Sequence, residues 1–209
     1  MYEEVKLVKE MGQIIVIQIL INNTTHTVVN CYALNITAEK IQFINQLKDE
    51  VQNIETDSLW VAGNFNMTLE QIDIIAGSFH PEREVATFIE TLANLDIYDV
   101  WRINHPESKD YTWSRPTPII ARRLDYIFCD SVSLTKITTT SIEAVSHSDH
   151  KLVKAQVNIT TLREARDTGS STKGPGCSYA SETHTHTQKK TVPNRWAPSR
   201  FYRTLHQTY

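Results

Sequence analysis

Between Gly12 and Asn22 the chain reads Gln13-Ile14-Ile15-Val16-Ile17-Gln18-Ile19-Leu20-Ile21. A β-branched run of this kind is stiff at χ1 and packs best on a pleated surface. Its apolarity is nearly continuous rather than alternating, which predicts a strand from Ile14 to Ile21 buried on both faces. Asn22-Asn23-Thr24-Thr25 is turn chemistry, and a second strand from Thr27 to Ala33 makes an antiparallel hairpin with the first. Thr37 stands where it would cap a helix whose apolar face is Ile41, Ile44, Leu47 and Val51. Ser58 to Ala62 is another strand, delivering Gly63-Asn64-Phe65-Asn66 at its carboxyl end. A second amphipathic helix carries Val85, Phe88, Ile89 and Leu92, with Glu82 and Glu84 at its positive end. Short strands follow around Tyr111 to Trp113, Asp125 to Cys129, Ile137 to Ala144 and Leu152 to Ile159. Hairpins mixed with helices predict an α+β fold, an α/β sandwich of two mixed sheets with flanking helices, rather than a regular βαβ parallel sheet.

One domain accounts for most of the 209 residues. Near Arg166 the composition turns to Gly, Ser and Thr and then to polar residues without apolar periodicity. Residues 1–163 are therefore expected to form the domain and 164–209 a disordered, low-complexity tail. Thr183-His184-Thr185-His186-Thr187 has metal-binding residue types, but a CA-dinucleotide repeat in a gene encodes the same alternation, and that reading is preferred. A net charge of -3 gives no electrostatic argument for nucleic acid, although a nuclease needs cations only along the strand path. Cys31, Cys129 and Cys177 lack Cys-x-x-Cys spacing, so Cys31 and Cys129 read as reduced core residues. Ile14 to Ile21 is too short to span a membrane, and no leader pattern precedes it. The expectation is a soluble intracellular chain with no membrane partner, and the sequence points to no protein partner.

Polar residues with chemical potential sit at the predicted strand ends. Asp125, in Arg122-Arg123-Leu124-Asp125-Tyr126-Ile127, opens an apolar strand, where an unpaired carboxylate is costly to bury. Its partner is either Arg122 or Arg123, as an ordinary salt bridge, or a histidine whose tautomer it would fix. Ser148-Asp149-His150 supplies such a histidine, and by itself would be a solvated turn. Asn66 follows a strand-end turn that directs side chains into sites, or simply forms that turn. Tyr32, in Val29-Asn30-Cys31-Tyr32-Ala33-Leu34-Asn35, reads on its own as a half-buried strand tyrosine.

Taken in order, these segments are more specific than any of them alone. Asn30-x-Tyr32-Ala33-x-Asn35, Gly63-x-Phe65-Asn66, Tyr111-Thr112-Trp113, Arg123-Leu124-Asp125-Tyr126-Ile127 and Ser148-Asp149-His150 together resemble the endonuclease/exonuclease/phosphatase superfamily. Leu95-Asp96-Ile97-Tyr98-Asp99-Val100-Trp101-Arg102 and His105-Pro106 make the likeness greatest to the endonuclease domains of LINE-type, non-LTR retrotransposons. The resemblance covers roughly Gly12 to Ile159 and implies a Mg²⁺-dependent phosphodiesterase acting on DNA, nuclear where it serves a retrotransposon. It implies that His150 contacts the scissile phosphate and Asp125 orients it. Asp149 would lie on the metal or leaving-group side, Asn66 and Asn35 would hold phosphate oxygens, and Tyr32 would assist near the leaving group. Trp113, Arg115 and Ser148 would lie along the substrate.

Two departures from that family bear on the chemistry. Asn64 stands where the family has the aspartate that deprotonates the attacking water. An amide cannot take that proton, and losing a general base costs on the order of 10²–10⁴ in rate. The family's active-site Asn and metal-ligating Glu come from an earlier region, which Glu3, Glu4 and Glu10 do not match. Mg²⁺ prefers charged carboxylates in an octahedral oxygen shell, so Asp149 alone makes a poor magnesium site, and the first strands of the sandwich are expected to be missing. Leu34 replaces a usual proline, a change expected to loosen the loop before Asn35. The leading expectation is a catalytically impaired nuclease fold. The alternatives are an active hydrolase, if the natural chain is longer, and a non-catalytic DNA-binding relic using Arg115, Arg122 and Arg123.

Overall fold

In the computed structural model, which describes residues 4–76, 79 and 82–159, the β-branched run is strand β2 (Ile14–Ile21), flanked by β1 (Glu4–Met11) and β3 (Thr24–Tyr32). Both pairings are antiparallel. The two-residue turn between β2 and β3 holds Asn22 and Asn23 at φ 52° and 58°. Two positive φ values match the twist that a tight hairpin needs, and asparagine tolerates them. Helix α1 (Thr37–Gln52) then crosses over, so that β4 (Ser58–Asn64) runs parallel to β3. Strands β9 (Asp125–Asp130) and β6 (Ile97–Asp99) complete a six-stranded mixed sheet in the order β1-β2-β3-β4-β9-β6. Two smaller sheets join it: β5 (Ile74–Ile75), β8 (Ile120–Arg122) and β7 (Trp113–Arg115), and the hairpin of β10 (Ile137–Ala144) with β11 (Lys151–Val157). The architecture is α+β, mixed sheets packed with helices, as the pattern of elements predicts.

Register aligns Val16, Val29, Val61 and Phe128 in one row across four strands, and all four are buried. Against this face lie Phe43, Ile44 and Leu47 of α1 and Val85, Phe88 and Leu92 of α2 (Arg83–Asn94). Phe65 sits at the centre. It stacks on Phe88 at 5.1 Å between ring centroids and meets Phe128, Tyr126 and Phe43 edge-on. Cys31 and Cys129 are free and buried, and burial pushes both thiols up to about 12, which makes them poor nucleophiles at neutral pH. Among the described residues no helix is long and apolar enough to cross a membrane.

Several elements differ from the sequence expectation. Because α1 and α2 cover one face of the sheet, Ile14 and Val16 are buried while Ile15, Ile17 and Ile19 are only half-buried, so β2 is not buried on both faces. Thr37 is the first helical residue and not the cap. Ile36 takes the cap position with extended backbone and no side-chain hydrogen bond. The strand expected at Tyr111 to Trp113 begins at Trp113. Strand β1 has no counterpart in the sequence expectation. A register shift between Leu7 and Lys9 puts Leu7-Val8 side by side and hides its alternation. The tail expected from residue 164 lies outside the described residues.

A buried ion-pair cluster ties the 3₁₀ turn Gln71–Asp73, helix α3 (Val100–Asn104) and the approach to β9. Arg123 is 0 % exposed. It grips Asp73 with Nε to Oδ1 and Nη2 to Oδ2, both at 2.8 Å, and its Nη1 lies 2.6 Å from Asp99. Arg102 completes the cluster through Asp73 and through the His105 and Ser108 carbonyls, each at 2.9 Å. Arg123 also lies over the Tyr126 ring, 4.4 Å from its centroid. Two buried carboxylates depend on it, so Arg123→Met should cost roughly 3–5 kcal/mol by leaving charge uncompensated. Urea unfolding of the two chains checks this; a loss under about 1 kcal/mol would mean that solvent reaches the cluster.

Candidate active site

Strands β3 and β4 end where β9 begins. Register places Tyr32 beside Asn64 and Asn64 beside Asp125. All three side chains therefore share the sheet face turned away from α1 and α2. Tyr32 is 53 % exposed, and Asp125 is partly buried.

The turn before β11 brings His150 to this row. His150 Nδ1 donates to Asp125 Oδ2 at 2.8 Å. In a neutral imidazole that bond leaves Nε2 as the free acceptor. His150 is further held by a β-bridge to Trp113 and by its own N–H, which donates to Ser148 Oγ at 3.0 Å. Asp149 is exposed and accepts from the Trp113 indole Nε1 at 3.0 Å. Asn64 Oδ1 accepts the Asn66 N–H at 2.8 Å, and Asn66 Nδ2 donates to the Ala33 carbonyl at 2.7 Å. Asn66 has a left-handed backbone, φ 49°. It both forms the turn and faces the cavity, so the two readings of this residue are compatible.

A cavity of about 470 Å³ opens here, lined by Asn35, Asn66, Trp113, Arg115, Ile120, Arg122, Leu124 and His150. The structure thus gathers the expected residues in three groups. Asn35, Asn66, Trp113, Arg115 and His150 line the cavity. Tyr32, Asn64 and Asp125 form the sheet row beside His150, and Ser148 and Asp149 form the turn that presents it. Arg123 does not join them. The sequence offers it both as a salt-bridge partner of Asp125 and as a DNA-facing cation, but in the two-residue link between β8 and β9 its side chain is buried on Asp73 and Asp99.

Sequence reasoning counts Thr112 within the Tyr111-Thr112-Trp113 motif but gives it no role of its own. Its side chain is fully buried, and its Oγ1 accepts the N–H of Leu124 at 2.9 Å and of Asp125 at 3.1 Å. Its carbonyl accepts the Lys151 N–H at 2.7 Å. One threonine therefore holds the segments carrying Asp125 and His150 at a fixed distance. The only sequence signal is a small polar residue between two aromatics, which by itself says nothing about distant amides.

The donor set does not fit a divalent cation. The Asp149 carboxylate is engaged by an indole, Asp125 by an imidazole, and position 64 offers a neutral amide oxygen already bonded to a backbone N–H. Among the described residues no three His, Cys, Asp or Glu side chains group as a metal site. What the site offers a ligand is Arg115, Arg122, two asparagine amides, the Trp113 ring and an oriented imidazole, which is chemistry for an anion carried on a flat or apolar group.

Comparison with known proteins gives this geometry a context. No family model matches the chain. A transposon TX1 uncharacterized 149 kDa protein of Xenopus laevis is 25% identical over 151 residues, covering 71% of this chain and 12% of that protein. The endonuclease domain of TRAS1, a telomere-specific non-LTR retrotransposon, superposes with a TM-score of 0.63 at 18% identity, covering 76% of this chain and 70% of that one. The 3′ phosphatase NExo from Neisseria, solved bound to a product DNA hairpin, superposes with a TM-score of 0.54 at 20% identity, covering 76% and 72%. The chain has the fold these nucleases share. It spans a small part of the transposon protein it matches.

Proposed function

We propose that this chain is a DNA-binding phosphodiesterase fold of retrotransposon origin in which hydrolysis is impaired at position 64. The observation that carries the reading is the His150–Asp125 pair at 2.8 Å beside a cavity that also holds Asn35, Asn66, Arg115 and Arg122. A carboxylate behind an imidazole fixes its tautomer and stabilises its charged form. A phosphate at the cavity would meet two guanidinium groups, two amides and that imidazole, with Trp113 available to a base or sugar. The proton acceptor that the family resemblance assigns to position 64 is what the site lacks. Asn64 is neutral and its oxygen is occupied. Mg²⁺ serves the family this chain resembles; here its binding is weak or absent, because the carboxylates are engaged within the protein.

Nicking of supercoiled DNA, with Mg²⁺ and with Mn²⁺, tests the impairment. The native chain should nick at a rate roughly 10²–10⁴ below an intact family site. Robust metal-dependent nicking that His150→Ala abolishes would overturn the impaired reading. Binding of a short duplex, followed against salt, tests the partner. Affinity should fall steeply as salt rises, and absent or salt-insensitive binding would overturn the DNA reading.

The second reading is an active hydrolase. It is favoured by the 70% coverage of the TRAS1 domain, since a longer natural chain could supply the metal-ligating glutamate. Sequencing the transcript upstream of Met1 decides between them.

A further inference from the structure

Lys40 is the fourth residue of α1 and only 8 % exposed. Two effects oppose an ammonium there. Burial strips its hydration, and the amino end of a helix is the positive end of its dipole. Both must be offset by specific partners.

The contact the structure provides is with the turn of the candidate site. Lys40 Nζ donates to the Asn66 carbonyl at 3.0 Å. Asn66 holds a left-handed backbone, which asparagine tolerates better than other side-chain-bearing residues and which its hydrogen bonds hold in place. Its three contacts come from three directions: Asn64 at the end of β4, Ala33 just past β3, and Lys40 on α1. The first two belong to the same strand ends as the site. The third anchors it to a helix packed in the core.

Helix α2 packs against α1 and brings a buried carboxylate. Glu84 is 3 % exposed and sits in the first turn of α2, with its Oε1 lacking a hydrogen-bond partner. Burial pushes its carboxyl up, but its own backbone amide, the Glu82 side chain and the Lys40 charge outweigh that and hold it below the usual range. Glu82, exposed, is pushed up by its hydrogen bond with Glu84 and by that residue's charge.

We propose that Lys40 is a positioning residue: its ammonium fixes the Asn66 carbonyl and so sets how Asn66 faces the cavity. The functional consequence rests on the reading of Asn66 as a phosphate-holding residue; the positioning itself does not. Lys40 does not belong to the phosphate-contacting set, because it approaches Asn66 from the core side.

Hydrogen exchange read residue by residue by NMR on the full chain tests the positioning without any ligand. In Lys40→Met the Asn66 amide should exchange at least about tenfold faster, while Val29, Val61 and Phe128 in the central sheet keep their protection. Lys40→Arg should restore most of the Asn66 protection. Should Lys40→Met fail to fold, Lys40→Gln, which keeps a donor without charge, carries the same comparison. Unchanged Asn66 exchange in either folded variant, or equal acceleration at every site, overturns the proposal. Binding of a fluorescent duplex at several salt concentrations gives the second readout. Lys40→Met should weaken affinity and leave the slope of log affinity against log salt unchanged, whereas a lysine touching phosphate would lower that slope by about 1. That lower slope also overturns the proposal. If the native chain binds no DNA, the phosphate reading falls, and the exchange experiment still decides the role of Lys40.

Discussion

Asn64→Asp, in a chain extended to supply the metal-ligating glutamate, should raise the rate of phosphodiester cleavage by roughly 10²–10⁴-fold, the usual worth of a general base. The substitution is nearly isosteric, and the surroundings accept a carboxylate. Asn64 Oδ1 is already an acceptor for the Asn66 N–H, a bond that strengthens when the acceptor is charged. The new carboxylate would stand beside Asp125 in the sheet register. A like charge beside it disfavours ionisation of the new group, which makes it a stronger base once ionised. His150, bonded to Asp125, limits that repulsion. Nicking of supercoiled DNA with Mg²⁺ and Mn²⁺ measures the gain, and adding His150→Ala to Asn64→Asp should remove it. No gain, with exchange data showing the Asp125–His150 segment intact, would mean that position 64 does not activate water in this chain.

How far the sequence announces this arrangement depends on the range of the interaction. Features set by neighbours in the chain are legible. Ile14 to Ile21 has to be a strand, Asn22-Asn23 has to turn, and Val85, Phe88 and Leu92 have to share a helix face, and all three appear. Features set by distant partners are not. Arg122 and Arg123 are adjacent and chemically alike, yet Arg122 lines the cavity while Arg123 is buried on Asp73, fifty residues away. Their neighbours in the chain do not say which one turns inward. The role of Thr112 is invisible for the same reason, since its meaning lies in amides at 124, 125 and 151. Lys40 is not singled out by the sequence at all, since its partner is the Asn66 carbonyl, twenty-six residues away. The constellation Asp125–His150 comes from the order of motifs and a resemblance, because nothing local in either segment specifies a partner twenty-five residues away.

Gly63→Ala should be the more damaging of the two alanine substitutions at the described glycines, with a loss above about 4 kcal/mol, where point substitutions become exceptional. Gly63 has φ +143°, a conformation that side-chain-bearing residues rarely adopt. A Cβ there would overlap the Cys31 carbonyl oxygen and stand 2.8 Å and 2.9 Å from that residue's carbonyl carbon and nitrogen. These are backbone atoms of the paired strand, so no rotamer change relieves the clash. Relief requires β3 and β4 to separate, and that would break the row Tyr32, Asn64, Asp125 as well as the seat of Phe65. Gly12 provides the control. Its φ is +51°, but a Cβ added there would meet nothing within 4 Å, so Gly12→Ala should cost only the conformational strain, about 1–2 kcal/mol. With a urea m-value of about 2 kcal/mol per molar, Gly63→Ala should lower the midpoint by about 2 M or leave no folded protein, and Gly12→Ala by less than about 1 M. Equal midpoints for the two would show that strand spacing at position 63 yields freely, and the glycine of Gly63-Asn64-Phe65-Asn66 would then need a reason other than the close approach of β3.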